Sequence, residues 1–517
     1  MRPKERKDSG QRDLFRARLD QIIDMGHPLA KLAAAIDWGF LDQRLGAVYS
    51  DAPGHPPLPT RLMAGLAILK HMHDLSDEAL CARWLENPYF QLFCGEEFFQ
   101  HKLVFDRSSM TRWRQRMGEE RLVALIQESL AVATKTGAAK PADFSKVIVD
   151  TTVQPKAVAH PTDAKLMHRA REKLVALAKK HGVALRQSYQ RVGKYALIAY
   201  QRYAHAKHFK RARRELRRLR TILGRVMRDV ARKTRDKTGL RDVFVRPLWL
   251  AERVRDQRQN QRGRKVYSLH APEVECIGKG KAHRPYEFGV KVSIATTLNR
   301  SKGGQFVAHV AALPGNPYDG HTLEKVIPDM ERQIGASLKR IVADRGYRGH
   351  NAPQEHKFRV FISGQKRRVT EQTKRELRRR SAVEPVIGHL KAEHRMGRNH
   401  LAHAQGDAIN AVLAAAGYNF RRLLAWLALL FAAIWNAIAH HIERPVSQSP
   451  HDRCSSQATD WGASNGLRIG GAAPERFADN WEAGRADDPL IRCRKIANQT
   501  ANCQKKPSAQ SGLGAIL

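Results

Sequence analysis

Three carboxylates stand where folding alone gives little reason to put them. Asp344 follows the run LKRIVADRGYRGH, in which Ile341 and Val342 read as a short buried strand that breaks at Gly346 and delivers an acid to its carboxyl end. Asp150 ends FSKVIVD, another β-branched run, and is followed by Thr151 and Thr152. Glu384 sits among Val383, Val386, Ile387 and Leu390, a spacing that turns it toward the same core as its apolar neighbours. Carboxylate oxygens are the hard ligands that Mg²⁺ and Mn²⁺ prefer. Three acids at one point repel strongly, and bound divalent cations resolve the conflict. Two ions about 3.5 to 4 Å apart could activate a water or a 3′-hydroxyl on one side of a phosphorus and stabilise the leaving oxygen on the other. Taken singly, Asp344 suits a turn, Glu384 a helix boundary before Pro385, and Asp150 a cap. The combination carries the reading: two acids at strand ends and a third on or beside a later helix.

The elements that must position these acids follow in order. From Leu29 to about Ala133 the apolar spacing is helical, with Asp77 expected to cap one helix and another starting near Ser108 or Ser109. The first turns of that last helix carry Arg112, Arg114 and Arg116 around Trp113, an arrangement similar to a helix-turn-helix or to a bundle with solvated basic faces. After Asp150 a helical block runs from about Thr162 to Lys237, dense in arginine on one face, where phosphate contact is favoured. Strand-like alternation resumes at Lys265. YEFGVKVSIATTL and GQFVAHVAALPG then read as a hairpin, Asp319 to Ile334 as a helix, and LKRIVADRGY and FRVFISG as further strands. Without the inserted helices, this order resembles a ribonuclease H-like α/β domain, a mixed sheet that gathers acids at the ends of neighbouring strands. LLAWLALLFAAIWNAIA is short for a membrane span and reads as a buried helix covering the sheet.

Lys and Arg number 91 against 50 Asp and Glu, a formal charge of +41. Such an excess repels itself unless a polyanion relieves it, and nucleic acid is the counterpart expected. Cys81, Cys94, Cys276, Cys454, Cys493 and Cys503 form neither a CxxC pair nor a disulfide rhythm, which fits a reduced cytosolic protein without a cysteine zinc site. His389, His394, His400 and His403 match no zinc spacing and read as solvated or DNA-facing, while Gly278 and Gly280 read as a basic turn. Ser108 and Ser109 have no triad partners, which argues against a covalent serine mechanism.

At these residues the chain resembles the DDE transposases of bacterial insertion sequences, most closely insertion-sequence family five, over roughly residues 30 to 440. The signature Tyr-x2-Arg-x3-Glu-x6-Lys is met by Arg380, Glu384 and Lys391, with Leu377 in the tyrosine's place. The resemblance implies that Asp150, Asp344 and Glu384 are the catalytic, metal-binding triad, using two Mg²⁺ ions with Mn²⁺ as a possible substitute. Arg380 and Lys391 would hold phosphates, and the amino-terminal helices, with Arg112, Arg114 and Arg116, would bind element ends. The implied partners are double-stranded DNA, both terminal inverted repeats and target, and further copies of the chain in a dimer or larger synaptic complex. A cytoplasmic, nucleoid-associated protein is expected. The corresponding division is a loose basic arm (1–28), a helical end-binding region (29–140), a ribonuclease H-like catalytic domain (141–442, with a helical insertion at about 162–240) and a disordered tail (443–517). The alternatives are a nuclease of the same fold that cuts without strand transfer and a catalytically silent DNA-binding descendant.

Overall fold

Short polar side chains start most of the amino-terminal helices. In the computed structural model, which describes residues 17–49, 57–258, 261, 263–281, 284–367 and 369–442, the chain opens with α1 (Leu19–Ile22), α2 (Pro28–Ala35), α3 (Trp38–Gly46), α4 (Thr60–Met72), α5 (Asp77–Glu86), α6 (Pro88–Phe93) and α7 (Arg107–Lys135). His27, Asp37, Ser76, Asn87 and Asp106 accept backbone N–H groups at the starts of α2, α3, α5, α6 and α7. Ser76, not Asp77, is therefore the cap of α5, and α7 begins one residue ahead of Ser108. Gly118 breaks α7 at φ 68° and ψ 179°, a conformation only glycine adopts without strain. The expected arm lies outside the described residues as far as residue 16. From Arg18 the chain is docked, with Arg18 bridged to Phe98 and Leu19 buried.

The first strand, β1 (Lys146–Pro155), passes straight through Asp150 instead of ending there. Thr151, Thr152 and Val153 continue its β-branched run, and its antiparallel partner matches it from Val147↔Thr297 to Pro155↔Gly289. The inserted helices follow: α8 (Asp163–Lys180), α9 (Gln190–His205), α10 (Phe209–Thr234) and α11 (Thr238–Asp256). The insertion is longer than expected because α11 takes in Gly239 and tolerates Pro247. Its Phe244, Leu250, Ala251 and Val254 fill a core that the four helices share apart from the rest of the chain.

The remaining strands are β2 (Glu275–Lys281), β3 (Arg284–Thr297), β4 (Val307–Leu313), β5 (Arg340–Ala343) and β6 (Val360–Ile362), with α12 (Leu323–Ile334) between β4 and β5. Strand β2 takes in Gly278, where a basic turn was expected, and Lys265 lies ahead of it. The mixed sheet runs β2–β3–β1–β5–β6, with β4 also on β3; β1 pairs antiparallel with β3 and parallel with β5. Helices α13 (Glu371–Arg378), α14 (Val383–Glu393) and α15 (His403–Ile442) complete the described chain.

The sheet separates two apolar layers. Val147, Val149, Ile341 and Ala343 pack against α12 through Leu323, Val326 and Ile327. Ile148 and Val342, on the alternate face, meet Val383 of α14. Helix α15 runs through a third core that joins α2, α4 and α7 to Val292, Val307 and Val310 of the sheet, so the expected boundary near residue 140 coincides with no gap in packing. Among the described residues no helix is long and apolar enough to cross a membrane. The expected disordered tail, with Cys454, Cys493 and Cys503, lies outside the described residues, while Cys81, Cys94 and Cys276 are free.

Candidate active site

Strand register brings the first two acids together. Val149 pairs with Ala343 across the parallel β1–β5 ladder, so Asp150 and Asp344, one residue further along each chain, stand side by side. They share a sheet face with Ile148 and Val342, because side chains alternate along a strand. Val383 packs on those same two residues, which sets the first turn of α14, with Glu384, over that face. Glu384 itself does not face the core as its apolar neighbours do: its side chain is 61% exposed. The helical spacing that buries Val383, Val386 and Leu390 turns Glu384 outward.

Each sheet acid has one oxygen fixed by backbone. Asp150 Oδ1 accepts from the Thr151 N–H at 2.7 Å, and Asp344 Oδ1 from the Gly346 N–H at 2.8 Å. Arg380 links the set, donating to Glu384 at 3.1 Å with its guanidinium 4.0 Å from Asp150 Oδ2. Burial pushes the Asp150 carboxyl up to about 6, with the charges of Asp344 and Asp319 adding to the rise and the Thr151 N–H and Arg380 opposing it. Such a carboxylate gains by a nearby cation. The donor chemistry suits Mg²⁺ or Mn²⁺, although among the described residues no three His, Cys, Asp or Glu side chains already stand close enough to ligate one ion. Arg380 supplies the positive charge between Asp150 and Glu384.

Leu377, in the signature's tyrosine position, packs beneath the acids against the cluster of Ile148, Leu298, Val342 and Val383. Lys391 lies on α14, two turns beyond Glu384. The arginines of α7 part company. Arg112 has a 71% exposed side chain and Arg116 lies over the Tyr49 ring. Arg114 is buried and gives both terminal nitrogens to Asp77, beside Lys70 on the same carboxylate. The expectation that Arg114 reaches DNA is thus corrected: its fork is consumed by an ion pair inside the bundle. His394 is corrected likewise, being buried against the His71 carbonyl at 2.8 Å.

Two features were not singled out as site residues from the sequence. Asp319, read only as a helix start, reaches the same corner from the α12 side of the sheet, and Lys291 pairs with it at 3.0 Å. An acid at a third boundary between strand and helix was the available signal. The stripe of exposed arginines along α10 was legible as a basic face, but its continuity was not: Arg213, Arg217, Arg220, Arg225, Arg228 and Arg232 are all exposed, and the two acids of that helix, Glu215 and Asp229, are buried.

Two transposase family models match stretches of the chain. A family model described as a transposase domain (DUF772) matches residues 17–116, and one described as a transposase DDE domain matches residues 254–420. The second match begins in the last turn of α11, so Asp150 lies outside it. A Rhizobium meliloti protein described as uncharacterized protein ORF8 in the nfe locus is 52% identical over 209 residues, which is 40% of this chain and 100% of that protein. No solved structure matches. With helices covered by one transposase model, a mixed sheet covered largely by another, and acids gathered at neighbouring strands, the chain belongs to the DDE transposases of insertion sequences.

Proposed function

We propose that Asp150, Asp344 and Glu384 are the catalytic acids of this transposase, and that the sheet with α12 and α14 forms a ribonuclease H-like catalytic domain interrupted by α8–α11. The observation that carries this reading is the parallel register that aligns Asp150 with Asp344, while Val383 anchors Glu384 above them. Two Mg²⁺ ions, or Mn²⁺ in their place, would supply activation of the attacking hydroxyl and neutralisation of the leaving oxygen. The chain's own part is positional. The Thr151 and Gly346 N–H groups each hold one oxygen of a sheet acid, which leaves the other to face the substrate. Arg380 and Lys391 hold phosphate oxygens of the cleaved end. Water makes the first cut, and the freed 3′-hydroxyl then attacks target DNA. No covalent link to the protein forms.

Arg112 and Arg116 on α7 and the arginine face of α10 provide the duplex contacts. Helix α10 has 26 residues and so extends about 39 Å, roughly one turn of B-DNA. Joining requires both element ends at once, which calls for a dimer or larger assembly. Family five is the subgroup that the Arg380, Glu384 and Lys391 spacing favours.

The test is cleavage and joining on a supercoiled plasmid carrying the element's own ends, with Mg²⁺, comparing wild type with Asp344→Asn and Glu384→Gln. Joined products that require Mg²⁺ and vanish in both variants are expected. Joining that survives in either variant overturns the triad.

A further inference from the structure

The acid site receives one carboxylate from each side of the sheet. Glu384 comes from α14 on the face of Ile148 and Val342, and Asp319 comes from the turn leading into α12 on the opposite face. Asp319 Oδ1 accepts from the Thr151 hydroxyl at 2.9 Å and from Lys291 Nζ at 3.0 Å. Lys291 also donates to the Pro317 carbonyl at 2.7 Å, so the clamp fixes both the acid and its loop. The other oxygen, Oδ2, is directed at Gly346. A Cβ built on Gly346 would lie 3.1 Å from Asp319 Oδ2 and 3.0 Å from Asp344 Oδ1. Two carboxylates from separate loops therefore converge on Gly346, where a methyl group would push both aside by a few tenths of an ångström.

Those loops are fastened to one another. The Gly320 carbonyl accepts from the Asn351 N–H at 3.0 Å, the His321 carbonyl from Asn351 Nδ2 at 2.9 Å, and the Arg348 carbonyl from the Tyr318 hydroxyl at 3.0 Å. Beneath them Tyr347 is fully buried within the fields of Asp150, Asp319 and Asp344. Its hydroxyl completes no hydrogen bond of good geometry, with the neighbouring Thr322 hydroxyl already donating to the Asp319 carbonyl at 2.6 Å. A buried hydroxyl at the base of converging acids marks a corner shaped for more than loop closure.

We propose that Asp319 is a fourth acid of this site, a positioning residue whose second oxygen, set across Gly346 from Asp344, aligns the sheet acids for a divalent cation. The inference rests on the reading of Asp150 and Asp344 as the pair that holds the cation. Lys291 holds Oδ1 and offsets part of the mutual repulsion of the acids before any cation arrives. The charge at Oδ2 then strengthens cation binding without Asp319 belonging to the triad.

The experiment is direct Mn²⁺ binding to the full chain without DNA, followed by electron paramagnetic resonance, for wild type, Asp319→Asn, Gly346→Ala and Asp344→Asn. Asparagine retains an oxygen for Thr151 and Lys291 but loses the charge. Asp319→Asn is expected to weaken Mn²⁺ binding about tenfold, as removal of a nearby charge at intermediate dielectric should. Gly346→Ala is expected to weaken it several-fold with no change of charge. A folded Asp319→Asn whose affinity stays within about twofold of wild type overturns the proposal and leaves Asp319 as a loop fastener. If Asp319→Asn does not fold, Asp319→Ser decides by the same twofold criterion. Wild type that binds no Mn²⁺, or Asp344→Asn that binds it equally well, would instead defeat the underlying reading of the acid pair.

Discussion

Asp150 shows how a single carboxyl couples the site to stability. Burial and its acidic neighbours hold it at about 6 against an ordinary value of 3.8. A carboxyl raised on folding stabilises the folded chain while protonated, and that contribution disappears as pH climbs from about 4 through 6. In divalent-free buffer, Asp150→Asn should therefore be more stable than wild type by roughly 3 kcal/mol at pH 8, an upper figure from the size of the shift, and the gain should shrink toward zero at pH 4. Urea unfolding at the two pH values checks this. An equal effect at both would remove the buried charge as its cause. Arg112 and Arg114 make the complementary point about arginines. They lie two positions apart on α7, one exposed and the other giving its fork to Asp77 in the bundle. Helical rotation of about 100° per residue separates a surface charge from a buried one.

At the scale of the element, α10 divides its labour cleanly. Leu219, Ile222, Leu223, Val226 and Val230 fill the inserted core, and the arginines occupy the opposite face. Glu215 takes up Arg214 and Arg218, and Asp229 takes up Lys233. Replacing Arg213, Arg217, Arg228 and Arg232 by alanine removes exposed charge without touching that core. For duplex DNA, each phosphate contact contributes about 0.9 to the slope of log affinity against log salt. The fourfold variant should therefore flatten the slope by roughly 3 to 4, measured by fluorescence anisotropy over a KCl series, with its thermal melt unchanged. A slope equal to that of wild type would place the DNA elsewhere.

For the whole molecule, α15 is the element that makes the helical region and the sheet share one interior. Asn419, fully buried on α15, exchanges hydrogen bonds with both the N–H and the carbonyl of Val307 at 2.9 Å and donates to Ser129 on α7 at 2.9 Å. Gly417 lets α15 approach α4 so closely that a Cβ there would lie 2.7 Å from the His71 carbonyl carbon. Residues 29–140, expressed alone, would expose the apolar surface that Val412, Phe420 and Leu423 cover in the full chain. That fragment is expected to show helical circular dichroism but no cooperative thermal transition. A sharp transition would instead establish an independent end-binding domain.

The sequence by itself determined the strand runs that lead to Asp150 and Asp344, the hairpin after the inserted block, and the Arg380, Glu384 and Lys391 spacing. Each of these is written in local periodicity or fixed intervals, which need no knowledge of distant partners. Only the tertiary structure decided where β1 ends, since β3 continues to pair with it beyond Asp150. It also decided that Arg114 and His394 are buried, that Glu384 faces outward, and that Asp319 meets Asp344 across Gly346. These outcomes depend on groups far apart in the chain, Arg114 with Asp77 and His394 with His71, and no local pattern encodes such pairs.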